Sequence, residues 1–186
     1  RPLSLVSFLV DGSAWPHDSH AVLYTNSLLH AMNGLLLWGV LFNLGRLCAW
    51  QKSKSAWLAS LSAGLWLLLP LSASGVLMAV QRMAVLSCSF MLLGLWIYLL
   101  ARQRLGQNGW RAWLGMATGL GLGTLLGVFT KEQAGLLPVL AWVLEGCWLP
   151  RPIFHSPWQQ RWWQIFKAVF FYVPTIAISA YLLQII

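Results

Sequence analysis

Residues 24–45 read YTNSLLHAMNGLLLWGVLFNLG, a mainly apolar run with no Asp, Glu, Lys or Arg. A helix crosses a bilayer with about 20 mainly apolar residues, so this stretch predicts a spanning helix. Windows of the same size give five more stretches, at 56–76, 83–101, 112–129, 134–148 and 168–186, of which 134–148 is short. The composition agrees: 59% of the residues are hydrophobic and 9% are charged, with 13 Trp. A soluble domain carries roughly 25% charged residues. The expected fold is therefore all-α, a polytopic membrane bundle of about six crossings with added interfacial helices.

The net charge of +8 does not indicate nucleic acid, because the cations sit in short gaps between apolar runs and form no continuous basic face. Arg46, Lys52, Lys54, Arg102, Arg104, Arg111, Arg151, Arg161 and Lys167 fall on one side of the expected topology, and Arg1, Arg82 and Lys131 on the other. The positive-inside rule makes the crowded side cytoplasmic. Residues 1–23 then form an outer-face loop whose 2–10 segment, opened by Pro2, reads as a helix lying in the interface. Residues 24–149 form the membrane core with five spans, 150–167 a Trp-rich and basic cytoplasmic interfacial segment, and 168–186 the sixth span. The chain starts at Arg1 and ends inside an apolar run, and is expected to be an interior piece of a longer membrane protein. Cys48, Cys88 and Cys147 lie in apolar segments without metal-site spacing and read as structural thiols.

Polar chemistry gathers on the outer side, where Asp11, His17, Asp18, His20, Gln81, Arg82, Lys131 and Glu132 fall. Each ionisable residue is compatible with a helix end, where charge costs less than at the bilayer centre. Asn26, His30 and Asn33 share one helical face of the first span. Such a stripe faces either protein, as interhelical hydrogen bonds, or a water-filled cavity open to the outside. Arg82 and Lys131 come from separate loops at one level and are candidates to clamp a phosphate, with Glu132 pairing to either cation or accepting from a hydroxyl. The competing reading is a structural Arg82–Glu132 ion pair. Gly115, Gly119, Gly123 and Gly127 recur every fourth residue, a small-residue stripe for close helix packing. Pro70 and Pro138 are expected to kink or loosen the second and fifth spans. Glu145 lies near the cytoplasmic end of the fifth.

The order of these features resembles a known group. Arg1-Pro2-Leu3-Ser4, then Asn26, His30 and Asn33, are similar to the RPL and N-x-x-x-H-x-x-N pattern of GT-C superfamily glycosyltransferases. Leu69-Pro70, Gln81-Arg82 with Leu86, Phe90, Tyr98 to Arg102, and Lys131-Glu132 with Leu137-Pro138 and Glu145 follow in order. This set resembles the O-mannosyltransferase-like membrane proteins that often carry tetratricopeptide repeats, and a related stretch occurs in lipid-A aminoarabinose transferase relatives. The resemblance runs over most of residues 1–149.

It implies inverting transfer of a sugar from a polyprenyl-phosphate-linked donor to a protein or glycan acceptor on the periplasmic face of a bacterial inner membrane. Arg82 and Lys131 would stabilise the departing phosphate, and Arg1, Asn26 and His30 would line the substrate cavity. The group's catalytic acid precedes the RPL segment, so the expected base lies upstream of Arg1. Asp11 and Asp18 do not match that motif, and these residues by themselves are expected to be inactive. A divalent cation is compatible with the chemistry, and the sequence offers no ligand set for one. Two rival readings are a flippase for the same lipid and a noncatalytic membrane scaffold.

Overall fold

The computed structural model describes residues 2–9, 19–70, 73–106, 109–154 and 156–185. These residues are all-helical, with no strand among them. Helix α1 (Pro2–Leu9) precedes the long α2 (Ser19–Leu47). A tight turn leads to α3 (Lys52–Leu68), which is followed by the short α4 (Ala73–Leu77) and a 3-10 turn (Ala79–Gln81). Next come α5 (Arg82–Gln103), α6 (Gly109–Val128), a second 3-10 turn (Glu132–Leu136) and α7 (Leu137–Cys147). The chain then enters α8 (Pro157–Lys167), a π turn (Ala168–Tyr172) and α9 (Val173–Ile185).

Local chemistry explains the boundaries. The end of α2 is a Schellman motif, with Trp50 N–H bonding Gly45 O at 3.0 Å and Ala49 N–H bonding Arg46 O at 3.1 Å. Its left-handed position, usually glycine, is Ala49 at φ 60°. α3 stops at Leu68 because Pro70 forces the preceding Leu69 into extended backbone (ψ 125°). The predicted 56–76 helix is thus cut short, and α3 has 17 residues. Pro138 kinks nothing, because it sits in the first turn of α7, where its missing N–H costs no hydrogen bond. Ser156 caps α8 by accepting from Gln159 N–H at 3.3 Å, with Pro157 behind it.

The helix does not break between 167 and 168. Pro174 has no N–H to give to the turn before it, and the helix widens just upstream, where Val173 N–H reaches back to Ala168 O. Thr175 Oγ1 donates to Phe171 O at 2.6 Å. Residues 157–185 therefore run as one continuous helix, and the Trp-rich segment taken as a separate interfacial element is its opening turns.

Helices α5 and α6 are antiparallel and meet backbone to backbone. A Cβ on Gly94 would stand 2.5 Å from Gly119 O and 2.9 Å from Gly123 Cα. The glycine stripe of α6 thus has its counterpart in Gly94. α2 packs on α5 and α3, and the α8–α9 helix runs parallel to α6, with Phe170 near Gly121 and Ile178 near Gly135. The core lies around Leu95, Tyr98, Leu99, Met116, Leu120 and Phe171. Among the described residues, three helical stretches are long and apolar enough to cross a membrane: His20–Leu47, Ala79–Gln103 and Pro157–Ala180. α3 and α7 are shorter than a span, and α6 dilutes its leucines with glycine and carries Arg111 in its first turn.

Candidate functional site

The polar residues quoted from the sequence form two nodes at opposite ends of α5. At its start, Arg82 is completely buried, and each guanidinium nitrogen donates within the protein. Nε donates to Asn26 Oδ1 at 2.8 Å, Nη1 to Ser7 O at 3.2 Å and Nη2 to Val22 O at 3.2 Å. The guanidinium also lies 4.6 Å from the centre of the Phe8 ring. One side chain thus ties α1, α2 and α5 together. The Ser7 carbonyl belongs to the last turn of α1, where helical carbonyls lack intrahelical donors, so the arginine also completes that helix end.

Asn26 continues the network. Its Nδ2 donates to Val76 O at 3.1 Å and Met78 O at 3.4 Å, which fixes the passage from α4 to α5. One turn further along α2, His30 Nε2 lies 3.4 Å from Leu67 O, and its ring is 4.7 Å from that of Trp66. Asn33 Nδ2 donates to Val85 O at 2.9 Å, while its buried Oδ1 has no hydrogen-bond partner. The stripe Asn26–His30–Asn33 therefore faces protein, the first of the two arrangements open to it in the sequence.

Lys131 lies at the far end of α6 in extended backbone (φ −155°, ψ 140°), just before the 3-10 turn that opens with Glu132. Beneath it Thr130 is fully buried, its hydroxyl donating to Gly127 O at 2.5 Å. Lys131 is partly exposed and Glu132 exposed, so both reach the surface, unlike Arg82. Around this end the apolar side chains of Leu77, Met78, Val80, Phe129 and Leu136 are exposed. Arg1, Asp11, His17 and Asp18 lie outside the described residues.

The second node lies near the other end of α5. Arg102 Nε and Nη2 grip Glu145 Oε1 and Oε2 at 2.8 and 3.2 Å, a bidentate pair with both side chains over nine-tenths buried. Tyr98 Oη donates to Glu145 Oε1 at 2.6 Å, and Arg102 Nη2 also reaches Pro150 O at 2.9 Å. Trp163 lies over the guanidinium at 5.4 Å, which brings α8 to the node. Sequence reading treated Arg102 as a charge that orients the chain and Glu145 as a helix-end acid. Their pairing was signalled by opposite charges near the same end of two apolar runs, Arg102 directly after 83–101 and Glu145 within 134–148.

Among the described residues no group of three or more His, Cys, Asp or Glu side chains converges to hold a metal ion. A cleft of about 490 Å³ opens beside the Glu145 node, between α7, residues 151–154 and α8. The chain matches no family model, no curated protein and no solved structure.

Part of the set quoted for the sequence resemblance lies at these two nodes. The segment after Arg1, the Asn26 motif and the Gln81-Arg82 motif meet at the first node. The Tyr98-to-Arg102 stretch and Glu145 meet at the second.

Proposed function

We propose that this chain is the membrane core of an inverting glycosyltransferase that uses a polyprenyl-phosphate-linked sugar, with the donor headgroup at the end carrying Arg82 and Lys131. The observation behind this reading is the convergence on Arg82: the helix that follows Arg1, through Ser7 O and Phe8, and the Asn26 motif meet at one buried guanidinium across up to 75 residues of sequence. In this reading α2, α3, α5, α6, the Glu132–Leu136 turn with α7, and the α8–α9 helix are the six crossings. The basic end faces the cytoplasm of a bacterial cell and the Arg82 end the periplasm.

The roles divide by exposure. Arg82 is a positioning residue that holds α1 and the start of α5 around the site. Lys131, at the surface, offers its ammonium to the phosphate, and Glu132 accepts from a sugar or acceptor hydroxyl. Exposed Leu77, Met78, Val80 and Phe129 give the isoprenoid chain an apolar flank. Asn26, buried against Arg82, and His30, beside Leu67 and Trp66, hold α2 against the same region. In the reaction the acceptor oxygen bonds to the anomeric carbon as the bond to the phosphate oxygen breaks. The hydroxyl proton passes to a carboxylate acting as general base, and the polyprenyl phosphate leaves with the bonding pair. Lys131 stabilises that developing charge.

Native mass spectrometry in nanodiscs tests the reading by titrating undecaprenyl phosphate against wild type, Lys131→Ala and Arg82→Lys. Selective binding that Lys131→Ala weakens supports it. The scaffold alternative draws on Arg82 having zero exposure with all its nitrogens occupied. Equal, unselective lipid adducts in all three proteins would favour that scaffold.

A further inference from the structure

The cleft beside Glu145 has no part in the reaction described above, and its lining is ordered by polarity. At the basic end it is bordered by Arg151, Lys167, Gln160 and Gln164, and further along by Trp142 and Tyr172. Trp142 precedes the end of α7 by more than a turn, and Tyr172 follows Lys167 by more than a turn of a helix rising beside it. The two rings meet edge to face at 5.4 Å, closing the upper part with aromatic surface. Cations and amides below with amphipathic aromatics above is the polarity order of a phospholipid at a membrane boundary.

An acid in the wall does not defeat an anion here. Glu145 is already neutralised by the bidentate grip of Arg102 and accepts from Tyr98 as well. The charged groups bordering the cleft, counting Arg102 behind Glu145, are therefore three cations and one anion. Lys167 lies over the Trp163 ring at 6.0 Å, and both side chains line the cleft. A volume of about 490 Å³ suits a phosphorylated glycerol headgroup.

We propose that this cleft binds the phosphate group of an anionic glycerophosphate compound, with Arg151 and Lys167 as its cationic ligands and Gln160 and Gln164 as neutral donors. Arg151 forks onto the phosphate oxygens, and Lys167 supplies a point charge. The ligand is either the headgroup of an anionic phospholipid or a soluble glycerol phosphate. The inference does not rest on the glycosyltransferase reading.

The test places the chain in phosphatidylcholine nanodiscs doped with phosphatidylglycerol and follows retained phosphatidylglycerol by native mass spectrometry. Wild type is compared with Arg151→Gln/Lys167→Gln and with a control, Lys52→Gln/Arg161→Gln, which removes two cations of the same end that do not border the cleft. Removing both ligands is expected to lower retention about 30-fold, since each cation near an anionic headgroup is worth roughly a fivefold change. The control pair keeps wild-type retention. Soluble glycerol 3-phosphate that competes would identify the free compound as ligand; retention unaffected by it identifies the lipid. Equal losses in the cleft and control variants, or no loss in the cleft variant, would overturn the proposal. Circular dichroism checks the fold, and Arg151→Gln alone, at an exposed loop position, provides the same comparison should the double variant unfold.

Discussion

Replacing Arg82 by Met should release α1 from the bundle while leaving most of the fold in place. Methionine keeps much of the side chain's bulk and deletes its charge and donors. α1 has only eight residues, too few for an isolated helix to persist in water. Its tie through Arg82 consists of the bond to Ser7 O at 3.2 Å and the stacking of Phe8 at 4.6 Å. A bond from a charged donor is worth roughly 1.5–3 kcal/mol, and a cation–π contact about 0.5–2 kcal/mol. Together these give about 2–5 kcal/mol, or a shift of roughly 30-fold to a few thousand-fold in the opening of α1. Hydrogen exchange with mass spectrometry on the 2–9 peptide, in the same detergent for both proteins, reads that shift directly. Exchange in α1 should rise by at least the lower figure, while peptides from α6 change little. Unchanged α1 protection in a folded Arg82→Met protein would refute the claim that this arginine anchors the helix.

Other perturbations follow from the same geometry. Gly94→Ala pushes a methyl group into Gly119 O and Gly123 Cα, backbone atoms that cannot rotate away, and should destabilise by about 1–3 kcal/mol or more in detergent unfolding. Gly64→Ala, where an added Cβ meets nothing within 4 Å, should be neutral or stabilising by up to about 1 kcal/mol. Glu145→Gln leaves a buried Arg102 without its anion and should cost roughly 3–5 kcal/mol. A double-mutant cycle with Arg102→Met would test this, and independence of the two substitutions would contradict the pairing. Ala49→Gly relieves a left-handed alanine at φ 60° and should stabilise by about 1 kcal/mol, seen as a raised Tm.

Hydropathy and length made α2 and α5 legible as apolar helices, and the four-residue spacing of Gly115 to Gly127 marked the packing face of α6. The partner surface was not legible. Gly94 stands alone in α5, so no periodicity announces it. Helix ends within apolar runs were misjudged where proline decided them: Pro70 ends α3 early, while Pro138 begins α7 instead of kinking it. Pro174 leaves a π turn in a continuous helix, so α8 and α9 are not the two elements that the change of composition at 167 suggested. The polar stripe on α2 was identified correctly as one face, but periodicity cannot say whether such a face meets protein or water. Val76, Met78 and Val85 carbonyls supply the acceptors for its asparagines, and backbone carbonyls carry no sequence signature. Arg82 was picked out for a ligand role by its position in a gap. Its burial depends on α1 folding over it, a contact spanning 75 residues.

The donor-headgroup site at the Arg82–Lys131 end is tested most directly by photocrosslinking. A photoactivatable undecaprenyl phosphate analogue, with the reactive group near the phosphate, would be bound to the reconstituted chain and its adducts mapped by peptide sequencing. The account predicts adducts within residues 77–83 and 129–136, abolished by excess unlabelled undecaprenyl phosphate and reduced in Lys131→Ala. Adducts confined to the basic end, or spread along the exposed faces of the helices and indifferent to competitor, would contradict it.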